Sequence, residues 1–223
     1  MRFQNITLLG TSHIAAQSIA SIEQVFRTNA PEMICLELDR ERFHALLHGH
    51  REGPKLRDIK HIGWKGYLFA KLGHWAEHQL GSSVGIQPGE EMLTAYRLAK
   101  THHSKIALID QPIRITLRRL HIPWKERLRF VWDILRSPFA KKARFDLSTV
   151  PSTEVINGLL REVQAHYPSI YRTLIEERDI YMAKKLHALS VSYPTISILA
   201  IVGAGHVPGI MRYIRMYADR EYF

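Results

Sequence analysis

Four short apolar runs, each followed by a polar or charged residue, most constrain what this chain can fold into. Runs of this kind predict buried β-strands, and here they span residues 6–9, 33–36, 106–109 and 196–202. Apolar residues at helical spacing fill residues 14–29, so the first two runs bound a strand, helix, strand unit. Such a unit predicts parallel pairing of its strands with a right-handed crossover. With a further predicted helix over residues 89–100, the pattern indicates an α/β fold with a central, largely parallel sheet flanked by helices.

The segment between the third and fourth predicted strands is too long for a simple crossover. Residues 153–167 and 168–189 each have the spacing of a helix, and an earlier helical stripe carries Trp124, Leu128, Val131, Leu135 and Phe139. We therefore expect a single domain over residues 1–223 that carries a helical insertion over residues 115–190.

The residues that follow the predicted strands have side chains suited to chemistry. They are His13, Glu37, Asp110 and His206. Because the carboxyl ends of parallel strands meet at one edge of a sheet, we expect these side chains to converge. Two imidazoles and two carboxylates suit either a divalent metal site or a general acid/base site. Both histidines end a Gly-x-x-His motif, in which glycine permits a sharp turn after the strand.

Several segments, in this order along the chain, resemble the TraB/PrgY family, which is related to the Tiki and GumN proteins. They read GTSHIAAQS, ICLELDRERFHALL, GIQPGEEMLTAYRLAK, IALID followed by ITLRR, ERDIYMAKKL and VGAGHVPGI. The resemblance implies the α/β fold shared with erythromycin-esterase-like and haem-binding ChaN-like relatives. One departure is clear: the family usually has an Arg-Asp pair after IALID, whereas this chain has Gln111-Pro112.

The resemblance also implies an activity. Tiki proteins are described as metal-dependent proteases that use the two Gly-x-x-His histidines and acidic residues, and PrgY is associated with shutting down a peptide pheromone signal. Small peptides are therefore the implied substrates, on the resemblance alone. The positions of this chain that match the family motifs are His13, His206, Glu37, Glu90, and Arg178 with Asp179.

These assignments combine into a hypothesis of metal-assisted hydrolysis. The cation, Mn, Co or Zn, would be held by His13, His206 and Glu37 and would lower the pKa of bound water. A second carboxylate, such as Glu90, would take the proton, and Asp110 is a further catalytic candidate. Arg178 would stabilise an oxyanion or clamp a substrate carboxylate. The alternative is a protein that sequesters a peptide or small-molecule ligand in the same cleft without turnover.

Less specific interpretations of the same residues stay open. Glu37 could be an ordinary strand-end acid paired with Arg40 or Arg42, and Arg178 could lie in a solvated charged turn. A second metal motif, His-x-x-Glu-His, spans residues 74–78 and has Glu154 downstream as a third ligand. Such a motif can arise from composition alone in a chain this rich in His and Glu, and the preferred interpretation is a surface helix with incidental histidines.

The formal net charge of +10 is concentrated in one segment. Ten Lys and Arg residues stand between positions 114 and 144, against Glu126 and Asp133. This local field predicts an anionic partner, such as a membrane surface, unless the segment is simply a solvated basic helix packed by its apolar stripe. Nucleic acid is not expected, because no known nucleic-acid-binding motif accompanies the charge.

The location expected from the sequence is the cytoplasm, with an option of peripheral membrane attachment. The N-terminus lacks the continuous apolar region of a signal peptide, and no apolar segment is long enough to span a bilayer. The single Cys35 can form no disulfide within the chain, which fits a reducing compartment. A homo-oligomer remains open.

Overall fold

The computed structural model describes residues 1–11, 16–48, 89–136 and 152–220. Its strands form one sheet in the order β1-β2-β5-β3-β4. Strands β2, β5, β3 and β4 are parallel, and β1 pairs antiparallel with β2. The α/β fold with a largely parallel sheet is confirmed. The strands are β1 (Arg2–Phe3), β2 (Ile6–Thr11), β3 (Met33–Leu36), β4 (Lys105–Leu108) and β5 (Ile198–Gly203).

Helices connect and flank the strands. They are α1 (Ala16–Asn29), α2 (Arg40–Leu47), α3 (Glu90–Thr101), α4 (Ile113–Arg119), α5 (Trp124–Arg136), α6 (Thr153–His166), α7 (Pro168–Tyr171), α8 (Glu177–Ser192) and α9 (Val207–Arg220). A five-residue π-helical segment, Arg172–Glu176, joins α7 to α8. Among the described residues, no helix combines the length and the apolar character needed to cross a membrane.

The strand that occupies the middle of the sheet differs from the sequence prediction. The strands β2 and β3 are parallel, as expected, but they do not pair with each other, because β5 lies between them. All six residues of β5 are buried. A central strand has both faces covered, and β5 is the strand best suited to that position. The predicted direct pairing of β2 with β3 is therefore wrong.

The core consists of two apolar layers, one on each face of the sheet. One layer holds Ile198, Ala200 and Val202 of β5 and is covered by α8 and α9. The other holds Leu199 and Ile201 and is covered by α1 and α3. This alternation is the period-two pattern of a strand buried on both faces. Because the four strands are parallel, their carboxyl ends lie together at one edge of the sheet, where the polar residues of the sequence motifs follow.

Cys35 lies fully buried within β3. Burial raises the pKa of its thiol to about 12, and a thiol with so high a pKa is a poor nucleophile. It therefore belongs to the core rather than to the site at the sheet edge.

Candidate functional site

Glu37 is the residue on which the site converges. It follows β3 and is 4% exposed. Its Oε2 accepts a hydrogen bond of 2.5 Å from the backbone N–H of Gly203, at the end of neighbouring β5. Its Oε1 accepts one of 2.5 Å from Nη2 of Arg178 and lies 3.3 Å from Nε2 of His206. The structure thus brings together three residues predicted from the sequence: the pairing of β3 with β5 places Glu37 beside His206, and α8 carries Arg178 to them.

His206 lies in the turn between β5 and α9, and both of its ring nitrogens face carboxylates. Its Nδ1 is 2.6 Å from Oδ1 of Asp179. When Asp179 is ionised it can only accept, so Nδ1 then carries the proton of this bond. Burial raises the pKa of Asp179, and the hydrogen bond with His206 opposes that effect. The tie to Asp179 fixes the imidazole so that Nε2 is the nitrogen left for Glu37.

Asp110 follows β4 and anchors two guanidinium groups. Its Oδ1 accepts from Nε of Arg178 at 3.1 Å and from the backbone N–H of Gln111 at 2.6 Å. Its Oδ2 accepts from Nη2 of Arg178 at 2.6 Å and from Nη2 of Arg42. Burial alone would raise the pKa of Asp110, but Arg178 and Arg42 outweigh it and lower the pKa to about 2. A carboxylate this acidic is a weak base at neutral pH, so its contacts favour a role in positioning Arg178.

The side chain of Arg178 is 16% exposed, and most of its hydrogen-bonding capacity is committed. Besides Glu37 and Asp110, it donates from Nη1 to the carbonyl of Leu174 at 3.2 Å. Leu174 lies in the π-helical segment, a geometry that is frequent at functional sites. Four of the five guanidinium N–H donors are thereby used, and at most one is left for a substrate. A two-point clamp on a substrate carboxylate would require Arg178 to break an existing bond, so its contacts favour holding Glu37 in place.

Arg42 and Asp39 also belong to the site, and the sequence analysis did not assign them to it. Asp39 caps α2 by accepting from the backbone N–H of Arg42 at 2.9 Å, and it also accepts from Nε of Arg42 at 2.9 Å. It further accepts from the backbone N–H of Ile113 at 3.0 Å, which ties α2 to α4. The aspartate before the apolar helix pattern of α2 is an N-cap signal that could have identified it. The pairing of Glu37 with Arg42 considered above is not the one observed, since Arg42 pairs with Asp39 and Asp110.

These seven side chains form one continuous series, which we call the ionic network. In order of contact they are Asp39, Arg42, Asp110, Arg178, Glu37, His206 and Asp179. Four carboxylates face two guanidinium groups, so with every carboxylate ionised and a neutral imidazole the seven described side chains carry a net charge of −2. The excess lies at the end formed by Glu37, His206 and Asp179. Buried negative charge of this kind favours an additional positive charge, supplied by a proton or a metal ion.

The remaining sequence candidates are not among the contacts of this network or lie outside the described residues. Glu90, in the first turn of α3, is half-buried and pairs with Arg97 at 3.7 Å. Its neighbour Glu91 is the one that is buried. Glu154 is exposed on α6. His13 and the His-x-x-Glu-His motif of residues 74–78 lie outside the described residues, so their roles stay predictions.

The donor atoms at the Glu37 end fit a cation in part. Ligands of a tetrahedral zinc ion lie about 2.0–2.2 Å from the metal and therefore about 3.3–3.5 Å from each other. His206 Nε2 and Glu37 Oε1 are 3.3 Å apart. Within the described residues, however, no group of three or more His, Cys, Asp and Glu side chains is arranged to hold a metal ion. Two donors are in place, and the expected third ligand, His13, is not among the residues described.

Comparison with known proteins relates the chain to one family. A model of the TraB/PrgY/gumN family matches residues 3–222. The chain is 35% identical over 218 residues to the uncharacterized protein MJ1365 of Methanocaldococcus jannaschii, a match covering 95% of this chain and 53% of that protein. It is 24% identical over 233 residues to a TraB domain-containing protein of Homo sapiens, covering 92% of this chain and 61% of the human protein. The chain therefore spans between half and two thirds of the length of these relatives.

Proposed function

We propose that this chain, which belongs to the TraB/PrgY/gumN family, is a metal-dependent hydrolase that acts on small peptides at the carboxyl edge of its sheet. Glu37, His206 and His13 would hold the divalent cation, which would be Mn, Co or Zn. One observation carries the proposal: His206 Nε2 and Glu37 Oε1 lie 3.3 Å apart while Nδ1 of the same ring is tied to Asp179. With Nδ1 protonated, a neutral ring has its lone pair at Nε2 beside the carboxylate, an arrangement that either a second ring proton or a bound cation would stabilise.

The surroundings of this pair support the same proposal. Histidines that bind metals commonly donate their other ring N–H to a carboxylate, which fixes the ring and raises its basicity. Asp179 stands in that relation to His206 at 2.6 Å. Arg178 donates to the same Oε1 of Glu37, and metal-ligating carboxylates are commonly hydrogen-bonded in this way. The peptide substrate class is drawn from the family resemblance.

In this proposal the residues of the chain have distinct tasks. A bound divalent cation supplies Lewis acidity, which lowers the pKa of water and polarises a substrate carbonyl. Arg178, held by Asp110, positions Glu37, and the backbone N–H of Gly203 holds the second oxygen of Glu37. Asp179 orients His206. Glu90, the proton acceptor expected from the sequence, would have to leave its pairing with Arg97 and approach the ionic network to accept the proton released from water.

Metal content provides the direct test. After dialysis against Mn, Co or Zn, elemental analysis is expected to find a stoichiometric ion in the wild type and none in His206→Ala. The exposed His121→Ala serves as the matched control and should retain the ion. Asp179→Asn should still bind the ion, but with affinity about 10- to 100-fold lower, because it weakens the support of the ligating ring. Circular dichroism would check that each variant is folded.

Turnover of a peptide library by the metal-loaded protein then separates catalysis from sequestration. Cleavage that is lost in His206→Ala and retained in His121→Ala supports a hydrolase. Stoichiometric peptide binding without cleavage would instead favour the alternative of a protein that sequesters its ligand. A wild-type protein without bound metal, or a His206→Ala protein that keeps its metal, would overturn the assignment of the ion to His206 and Glu37.

A further inference from the structure

The helix α5 exposes a row of large apolar side chains. Trp124, Leu128 and Trp132 are 65%, 60% and 54% exposed. Their spacing of four residues places them within a stripe about 80° wide, since successive helical residues are about 100° apart. The first two belong to the apolar stripe that the sequence predicted, and the structure shows that they face outward instead of packing the helix onto the domain.

The opposite side of α5 is attached to the protein, and this explains why the stripe faces outward. Glu126 is buried, and its Oε1 accepts from the backbone N–H of Ser169 at 3.3 Å. Arg129 donates from Nη1 to the carbonyl of His166 at 3.3 Å. Asp133 accepts a hydrogen bond from the hydroxyl of Tyr167. All these partners lie at the junction of α6 and α7.

Positive charges border the exposed stripe on both sides. Lys125 and Arg127 are exposed and lie to either side of it on the helical circumference. The preceding helix α4 carries the exposed Arg118, whereas its Arg114 and Arg119 pair with Glu41 and Glu177. The one exposed acid among the described residues of α5, Asp133, lies on the attached side. Outward-facing tryptophan and leucine flanked by lysine and arginine are typical of helices that lie in the interface of an anionic membrane.

We propose that the outer face of α5 docks on a membrane surface that contains anionic lipids. Trp124, Leu128 and Trp132 insert between the headgroups, and the bordering cations interact with the lipid phosphates. A protein surface that binds nucleic acid would present cations to the phosphates at its most exposed positions, whereas here the exposed stripe of α5 is apolar. The docking surface is separate from the ionic network, so this proposal stands independently of the hydrolase assignment.

Vesicle co-sedimentation of the 223-residue chain tests the proposal. Vesicles of phosphatidylcholine with phosphatidylglycerol should bind the protein, and vesicles of phosphatidylcholine alone should not. Raising the salt from about 0.1 M to about 1 M should release it, because the screening length falls from about 10 Å to about 3 Å. Removing both charges in Lys125→Gln with Arg127→Gln should weaken binding by about fivefold for each cation, which corresponds to about 1 kcal/mol each.

The apolar contribution is tested by Trp124→Ser with Leu128→Ser, which should lower vesicle binding at least tenfold. Val191→Ser is the matched control, because Val191 is equally exposed but lies on α8. Equal vesicle binding by the Trp124→Ser, Leu128→Ser variant and by the wild type would overturn the proposal. So would binding of RNA in preference to anionic vesicles, or a dimer in size-exclusion chromatography that dissociates in the double variant.

Discussion

Replacing Arg178 by alanine is expected to lower the free energy of unfolding by about 3–5 kcal/mol, the largest effect anticipated for a single residue of the ionic network. The change leaves two buried carboxylates, Glu37 and Asp110, without the guanidinium that pairs with both. Removing one partner of a buried ion pair costs more than the pair itself contributes, because the remaining charge stays desolvated. Urea unfolding monitored by circular dichroism at neutral pH measures the loss.

Two further variants make this result decisive. Arg178→Lys retains the charge but not the planar fork of donors. Its free energy of unfolding should therefore lie between those of the alanine variant and the wild type. Arg97→Ala removes an exposed arginine that pairs with Glu90 at 3.7 Å, and it should change stability by no more than about 0.5 kcal/mol. An Arg178→Ala protein as stable as Arg97→Ala would contradict the network as described.

The loss in Arg178→Ala should also depend on pH. In the wild type the pKa of Asp110 is lowered to about 2, against about 3.9 for an unfolded chain. Its ionised form therefore stabilises the fold above pH 4, and this contribution disappears as the pH falls from about 4 to about 2. Without Arg178, burial favours the protonated form of Asp110. Lowering the pH then protonates this carboxyl and removes the unpaired buried charge. The stability difference between wild type and variant should consequently narrow below pH 4, and a constant difference would contradict this cause.

Replacing Gly209 by alanine is expected to dislodge Asp179 and with it the orientation of His206. A Cβ at this position in α9 would lie 1.9 Å from Oδ2 and 2.7 Å from Cγ of Asp179. No side-chain rotation within a packed helix pair accommodates such a contact cheaply, and we expect a loss of about 1–3 kcal/mol in unfolding free energy. If His206 is the proposed metal ligand, Gly209→Ala should also weaken metal binding and hydrolysis.

Gly158→Ala is the matched control for this change. It lies in α6, where an added Cβ meets no atom within 4 Å, so it should stabilise the protein by about 0.5–1 kcal/mol. A double variant, Gly209→Ala with Asp179→Ala, tests the mechanism: if the two side chains collide, the combined loss should be smaller than the sum of the single losses. Additive losses would mean that Gly209 acts through another contact.

Several residues of the candidate site could be predicted from local sequence. Each apolar run shows where a strand ends, and the polar residue that follows lies at the carboxyl edge of the sheet. Glu37, Asp110 and His206 were assigned in this way, and the structure places all three in one network. Arg178 and Asp179 were identified through the family motif. Arg42 and Asp39 were missed as site residues because a helix-capping aspartate and a nearby arginine have the same local pattern whether or not they contact a strand end.

The sequence by itself determined the class of the fold, the approximate strands and the residues at their ends, because apolar periodicity and chain breaks are local properties. Only the tertiary structure decided that β5 occupies the centre of the sheet, since burial on both faces depends on helices distant in sequence. It also decided the partners of the buried charges: Arg178 meets Glu37 across 141 positions of the chain. Such pairings follow from the packing of α8 against the sheet, which brings oppositely charged groups together where water no longer screens them.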